Sequence, residues 1–120
     1  MKEQRLKVVV AGLGFGQAFV PVWLDHPDVY AVDVIEPDEK RLRRTLEKHP
    51  RINHVRGSLE EALKDDSVDA VHLVTPIPLH VEQSVATLRA GKHCACAVPA
   101  ATSIEGLREI VRAERESGCN

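Results

Sequence analysis

The sequence predicts an α/β fold, a doubly wound parallel sheet with helices on both faces. Three observations predict it. Short apolar runs alternate along the chain with amphipathic helical stretches. The first run, residues 6–11, is apolar almost throughout and ends in glycine, as is typical of a strand buried on both faces. Turn and cap residues separate the runs. Strands joined through helices lie parallel with right-handed crossovers, and we expect the strand order 3-2-1-4-5.

The apolar runs place five strands. The predicted strands span residues 6–11, 29–35, 52–55, 69–74 and 93–97. The third is short and weaker than the others. In an open sheet of this order, ligands bind outside the carboxyl ends of the strands, where the order reverses between strands 1 and 4.

The intervening stretches predict helices with recognisable ends. They span residues 15–26, 37–48, 59–64, 78–90 and a last helix that ends at Ser117. Pro21 falls inside the first helix, where it removes one backbone hydrogen bond and should bend the helix. Thr102 with Glu105 offers a cap for the last helix, and Gly118 ends it.

Length and composition bound the function. The chain has 120 residues, which suits one domain spanning 1–120, and its net charge of -2 gives no reason to expect nucleic acid or an anionic membrane as partner. No apolar run is long enough to span a membrane, and residues 1–5 do not start a signal peptide. We therefore expect a cytoplasmic protein. Cys94 and Cys96 are interpreted as small hydrophobic residues of one strand, and no metal site is predicted.

The turn after the first strand is the main candidate site. A phosphate-binding turn must reverse tightly, let the backbone approach a pyrophosphate and direct a helix N-terminus at it. Gly12 can make the turn, and Gly14 lacks the Cβ that would strike a phosphate. The regular third glycine would stand at position 17; the close-packing role is left open between Gly16 and Ala18. The candidate dinucleotide contacts in this turn are Gly12, Leu13, Gly14, Phe15, Gly16 and Gln17.

An acidic residue follows the second strand. Glu36 lies 24 residues after Gly12, where a carboxylate can accept both ribose hydroxyls of an adenosine and would repel a 2′-phosphate. This favours NAD as the cofactor. Four basic residues just beyond it could reach a 2′-phosphate, which keeps NADP open: Lys40, Arg41, Arg43 and Arg44.

The second half of the chain carries a more specific signal. Three segments resemble the Gfo/Idh/MocA oxidoreductases in order and spacing: residues 68–76 (VDAVHLVTP), 78–80 (PLH) and 90–93 (AGKH). The resemblance covers essentially the whole chain and implies an NAD(P)-binding Rossmann domain. It implies further that Thr75, Pro76 and His80 lie near the nicotinamide half of the cofactor. For His80, hydrogen bonding to neighbouring backbone is the structural alternative.

The chain departs from the family where catalysis would be expected. The family's Glu-Lys-Pro after the fifth strand, whose lysine helps to position or protonate the substrate oxygen, is Ala97-Val98-Pro99 here. Ala97 and Val98 are expected beside the cofactor, but neither has a proton or a charge to offer. We therefore predict no catalytic residue in this chain. The resemblance also implies a second domain, beyond these residues, that holds most of the substrate site.

Two functions follow from these observations. The first is the cofactor domain of an NAD(P)-dependent oxidoreductase acting on a sugar, cyclitol or related polyol, which would bind only with the second domain. The alternative is a non-catalytic nucleotide-binding or regulatory module, favoured by the loss of the residues before Pro99. The open sheet edge, and the surface meant for a second domain, predict a homo-oligomer.

Overall fold

Residues 5–120 are described by a computed structural model, and they form a parallel sheet with helices on both faces. Most of the N-terminal segment that was compared with a signal peptide, residues 1–4, lies outside the described residues. The strands are β1 (Leu6–Ala11), β2 (Val29–Ile35), β3 (Ala70–Leu73) and β4 (His93–Cys96). Their order is β2-β1-β3-β4, all parallel, which confirms the predicted fold class.

The predicted strand over residues 52–55 is wrong as a strand. Only Val55 makes a β-bridge, a single parallel one to Val34, although backbone hydrogen bonds place the segment along the outer edge of β2. Side chains from this segment and from the residue after it bind a buried carboxylate instead. Asp33 on β2 is fully buried and accepts hydrogen bonds from Asn53 Nδ2 at 3.0 Å and Arg56 Nε at 2.8 Å. A segment whose polar side chains bind a buried carboxylate lacks the alternation of apolar and polar residues that is typical of a regular strand.

Arg56 joins this network to a second carboxylate. Its Nη2 donates to Asp65 Oδ2 at 2.6 Å. Burial acts to lower the pKa of Arg56, but the hydrogen bonds to Asp33 and Asp65 outweigh it and raise that pKa. The partly buried guanidinium of Arg56 is thus compensated by two carboxylates. These contacts hold the backbone that leads into Gly57.

Three helices begin later than predicted, whereas the helix predicted from residue 59 begins at Leu59. They are α1 (Val20–Leu24), α2 (Glu39–Lys48), α3 (Leu59–Leu63), α4 (His80–Arg89) and α5 (Ile104–Ser117). The single bent helix predicted over 15–26 is wrong, because a 3₁₀ turn (Gly16–Ala18) precedes a separate α1. Pro21 lies in the first turn of α1, where its missing N–H costs no hydrogen bond.

Side-chain caps set the starts of three helices, and two of these starts differ from the prediction. Asp38 accepts from the Arg41 N–H at 2.9 Å, so α2 begins at Glu39 and not at Pro37. The predicted cap of α5 is off by one residue. Ser103, not Thr102, has the extended backbone of an N-cap, and its hydroxyl accepts from the Gly106 N–H at 3.0 Å.

Alternate residues of β1 point into two cores. Val8 and Val10 pack on one face with residues of α1 and α2, whereas Val9 and Ala11 pack on the other with residues of α3. Helices α4 and α5 cover the β4 end of the second face, where Cys94 joins their contact. Burial raises the pKa of Cys94 and Cys96, so both thiols stay protonated and apolar. No helix within residues 5–120 is long and apolar enough to cross a membrane.

Candidate dinucleotide-binding site

The glycine turn lies between the ends of β2 and β3, at the predicted switch point. Gly12 donates its N–H to Ile35 O at 2.9 Å and has φ of +91°, a conformation that side chains rarely adopt. A Cβ at this position would come within 2.5 Å of Val74 O. Both the backbone conformation and the close approach of Val74, the residue after β3, therefore require glycine at position 12.

Gly14 is not required by the protein's own packing. A Cβ built there meets nothing nearer than the Arg41 guanidinium carbon at 3.8 Å, and its φ is not positive. The backbone N–H groups of Gly14, Phe15 and Gly16 have no acceptor among residues 5–120. Unpaired N–H groups beside a position free of side-chain atoms are what an approaching pyrophosphate needs.

Gly16 provides the close packing that the sequence left unassigned. It is buried, and a Cβ there would lie 3.2 Å from Val74 Cβ and 3.3 Å from Val10 Cγ1. The alternative, that Ala18 shares this role, is wrong because Ala18 is exposed. Gln17, at the regular third-glycine position, donates its side-chain amide to Gly14 O at 3.3 Å.

Glu36 is tied to the turn. Its side chain is only 3% exposed, and Oε1 accepts from the Leu13 N–H at 2.8 Å. Oε2 accepts from the Asp38 N–H at 3.0 Å, and Arg41 Nη1 lies 3.5 Å from Oε1. The carboxylate thus holds the turn from inside, while part of its hydrogen-bonding capacity stays free for a ribose hydroxyl.

A cleft of about 780 Å³ opens beside the turn. Five of the predicted site residues line it: Gly12, Gly14, Glu36, Thr75 and Pro76. Sequence reasoning missed other residues that line it, among them Gly57, Leu59, Leu79, Gln83 and Ala86 and the carboxylates Glu60 and Glu82. Its volume is in the range of small-molecule sites.

One signal for three of the missed residues was available in the sequence. Leu79, Gln83 and Ala86 follow the spacing i, i+4, i+7 and so share one face of a helix. Thr75 Oγ1 donates to Gln83 Oε1 at 2.5 Å and joins this face to the end of β3. Leu79 and Ala86 offer apolar surface to the cleft, which suits a flat base.

The other predicted contacts lie outside the cleft. Leu13 is buried in the core; Phe15 is 69% exposed and packs its ring 5.4 Å from Phe19. Ala97 extends the pairing of β4, donating its N–H to Leu73 O at 2.9 Å, and Val98 is 90% exposed. These side chains are not gathered into one pocket with Glu36.

A basic cavity of about 510 Å³ adjoins the turn on the α2 side. It is lined by Gly14, Gln17, Arg41, Arg44, Glu47 and Lys48. Three of these side chains are cationic at neutral pH, so the cavity suits an anionic group. The geometry of the turn is therefore compatible with NAD and with NADP, as the sequence also indicates.

Lys92 does not replace the lysine that the family has at position 98. Lys92 lies at the opposite end of β4 and donates Nζ to Asp65 O at 2.8 Å. Among residues 5–120 no three His, Cys, Asp or Glu side chains are grouped to hold a metal ion.

Comparison with known proteins identifies the class. Residues 6–120 match the Gfo/Idh/MocA oxidoreductase family in its NAD-binding Rossmann fold, and the chain belongs to that family. It is 31% identical over 114 residues to 4-carboxy-2-hydroxymuconate-6-semialdehyde dehydrogenase of Sphingobium sp., covering 94% of this chain and 36% of that protein. It is 34% identical over 94 residues to scyllo-inositol 2-dehydrogenase (NADP(+)) IolU of Bacillus subtilis, covering 78% of this chain and 28% of that protein.

Among solved structures, GenD2 from gentamicin A biosynthesis, in complex with NAD, matches with a TM-score of 0.86 and 28% identity. The match covers 97% of this chain and 33% of that one. The chain thus spans about a third of the length of its relatives. It has the NAD-binding Rossmann fold of this oxidoreductase family, and the two curated relatives, both named as dehydrogenases, give no support to the alternative of a non-catalytic module.

Proposed function

We propose that this chain binds a nicotinamide adenine dinucleotide in the cleft beside the glycine turn, as the cofactor domain of an oxidoreductase. One observation carries the proposal: unpaired N–H groups at Gly14, Phe15 and Gly16 stand beside a glycine that no contact within the protein requires. The pyrophosphate would accept from these N–H groups. The adenosine would lie between Glu36 and the wall of Leu79, Gln83 and Ala86.

The whole enzyme would transfer a hydride to or from a sugar, cyclitol or related polyol. The inositol dehydrogenase among the relatives supports this substrate class. The cofactor supplies the hydride chemistry, and this chain's residues bind and orient it. Because Val98 stands where the family has lysine, the proton-transferring group would come from a second domain. Homo-oligomer formation and a cytoplasmic location stay predictions.

The choice between NAD and NADP rests on two opposed features. Glu36 disfavours a 2′-phosphate, whereas the cavity lined by Arg41, Arg44 and Lys48 favours one. We propose NAD as the preferred cofactor, because the Glu36 carboxylate retains acceptor capacity at the cleft wall. Replacing Glu36 by alanine is then expected to narrow any preference for NAD over NADP.

Thermal unfolding with added cofactor tests the proposal. A ligand that binds only the folded state at about 100 times its Kd stabilises it by about 2.7 kcal/mol. NAD should therefore raise the midpoint by several degrees, and nicotinamide alone should not. No shift with either NAD or NADP at millimolar concentration would contradict the proposal.

A further inference from the structure

His80 occupies a place where the loop after β3 meets the loop after β4. Its side chain is 1% exposed, at the first residue of α4. Nε2 lies 2.7 Å from Thr75 O, and Nδ1 lies 2.8 Å from Pro99 O. Both distances are those of N–H···O hydrogen bonds, and both partners are backbone carbonyls, which only accept.

A neutral imidazole cannot satisfy both contacts. It has one N–H, so the second nitrogen would present a lone pair to a carbonyl oxygen at hydrogen-bond distance inside the protein. An imidazolium donates from both nitrogens. We propose that His80 is a positioning residue that carries both ring protons and ties the loop after β3 to the loop after β4.

The bridge acts on the site through its two partners. Thr75 lines the cleft, and Pro99 directly follows Ala97 and Val98, the two residues expected beside the nicotinamide. The bridge therefore fixes the spacing between the two segments that would flank the nicotinamide half. This role rests on the proposed dinucleotide function.

The ring nitrogens of His80 contact backbone groups and not an ionised side chain. No salt bridge within residues 5–120 includes His80. The ionisable side chains that flank the bridge in sequence are Glu82 on α4 and Glu105 on α5, and both are exposed. The two carbonyl oxygens are thus the partners that the described residues offer to the ring nitrogens.

The ring protons can be observed directly by NMR. In protein labelled with ¹⁵N-histidine, the ring nitrogen shifts distinguish a protonated nitrogen from one with a lone pair. His72 is an internal control, because Trp23 Nε1 donates to its Nδ1 at 3.0 Å and burial lowers its pKa. At pH 7 we expect two protonated nitrogens at His80 and one at His72. A lone-pair nitrogen at His80 would overturn the proposal.

A variant tests the positioning role. His80→Phe keeps a buried ring and removes both donors, whereas Ser84→Ala changes another buried residue of α4 that is outside the bridge. We expect His80→Phe to move the amide resonances of Ala97 and Val98 and to weaken NAD binding about tenfold, with ADP binding changed less than about threefold. Ser84→Ala should change none of these.

Unmoved resonances and unchanged NAD affinity in His80→Phe would contradict the positioning role. If His80→Phe does not fold, His80→Gln, whose amide can reach one of the two carbonyls, replaces it with the same expected readouts. Failure of the unaltered protein to bind either NAD or ADP would reject the dinucleotide function. The histidine nitrogen shifts would still decide whether the bridge exists.

Discussion

Glu36 Oε1 accepts a 2.8 Å hydrogen bond from the backbone N–H of Leu13, so the acidic residue at the end of β2 holds the glycine turn in place. The sequence assigned this carboxylate to a ribose. In the structure this carboxylate also binds the Leu13 N–H. Binding Leu13 and binding a ribose are compatible, because a carboxylate accepts several hydrogen bonds.

Replacing Glu36 by alanine is expected to destabilise the protein. The Leu13 N–H would lose its acceptor in a buried setting, which costs about 1–3 kcal/mol. Urea unfolding measures the loss. Glu47→Ala removes an exposed carboxylate of α2 and should change stability by less than about 0.5 kcal/mol. Equal losses in the two variants would mean that the Leu13 contact contributes nothing.

Substituting Gly12 by alanine separates two reasons for a glycine. Gly12 and Gly91 both have positive φ, but a Cβ would strike Val74 O only at Gly12. Gly91→Ala should cost about 1–2 kcal/mol for the backbone conformation alone. Gly12→Ala should cost roughly 1–3 kcal/mol more, because the structure must shift to admit the methyl group. Equal decreases of the denaturant midpoint in Gly12→Ala and Gly91→Ala would show that Val74 moves away from a methyl group at position 12 without cost.

The glycine turn shows what the sequence could and could not predict. Its position after a buried strand was enough to locate Gly12 and Gly14. The task of Gly16 depends on Val74, which is 58 residues away in the chain, so local pattern left it undecided. The wall of Leu79, Gln83 and Ala86 likewise becomes part of the site only when α4 packs beside β3.

The prediction of a regular strand over residues 52–55 was wrong for a related reason. Asp33 sits within an otherwise apolar strand. Its partner Asn53 comes from the segment predicted to pair as a strand, and Arg56 directly follows that segment. Hydrophobic periodicity and strand propensity describe local backbone preference. They do not show which distant residues will donate hydrogen bonds to a buried carboxylate. The edge position was correct, and the regular pairing was not.

Acid should weaken the contribution of Asp65. Hydrogen bonds from the Ser67 side chain and backbone, then from Arg56, lower the pKa of the Asp65 carboxyl below its usual value. The folded state is therefore favoured by the carboxylate above the unfolded pKa of about 3.9, and this contribution is lost as the pH falls through the folded pKa.

Asp65→Asn should unfold at lower urea than the unaltered protein at pH 7, with the difference shrinking toward pH 3. Asp66→Asn is the matched control, since Asp66 is the exposed neighbour. A difference between Asp65→Asn and the unaltered protein that stays constant from pH 7 to pH 3 would show that the folded pKa of Asp65 is not lowered.

The most direct test of dinucleotide binding is calorimetric titration of NAD into the unaltered protein, Gly14→Val and Ala18→Val. A side chain at position 14 has room in the free protein, with the nearest atom 3.8 Å from its Cβ, so Gly14→Val should fold. Its branches would occupy the space beside the unpaired N–H groups. We expect Gly14→Val to lose more than about tenfold in NAD affinity and Ala18→Val, on the exposed side of the same turn, to bind as the unaltered protein does. Undiminished NAD binding by folded Gly14→Val would contradict the pyrophosphate site.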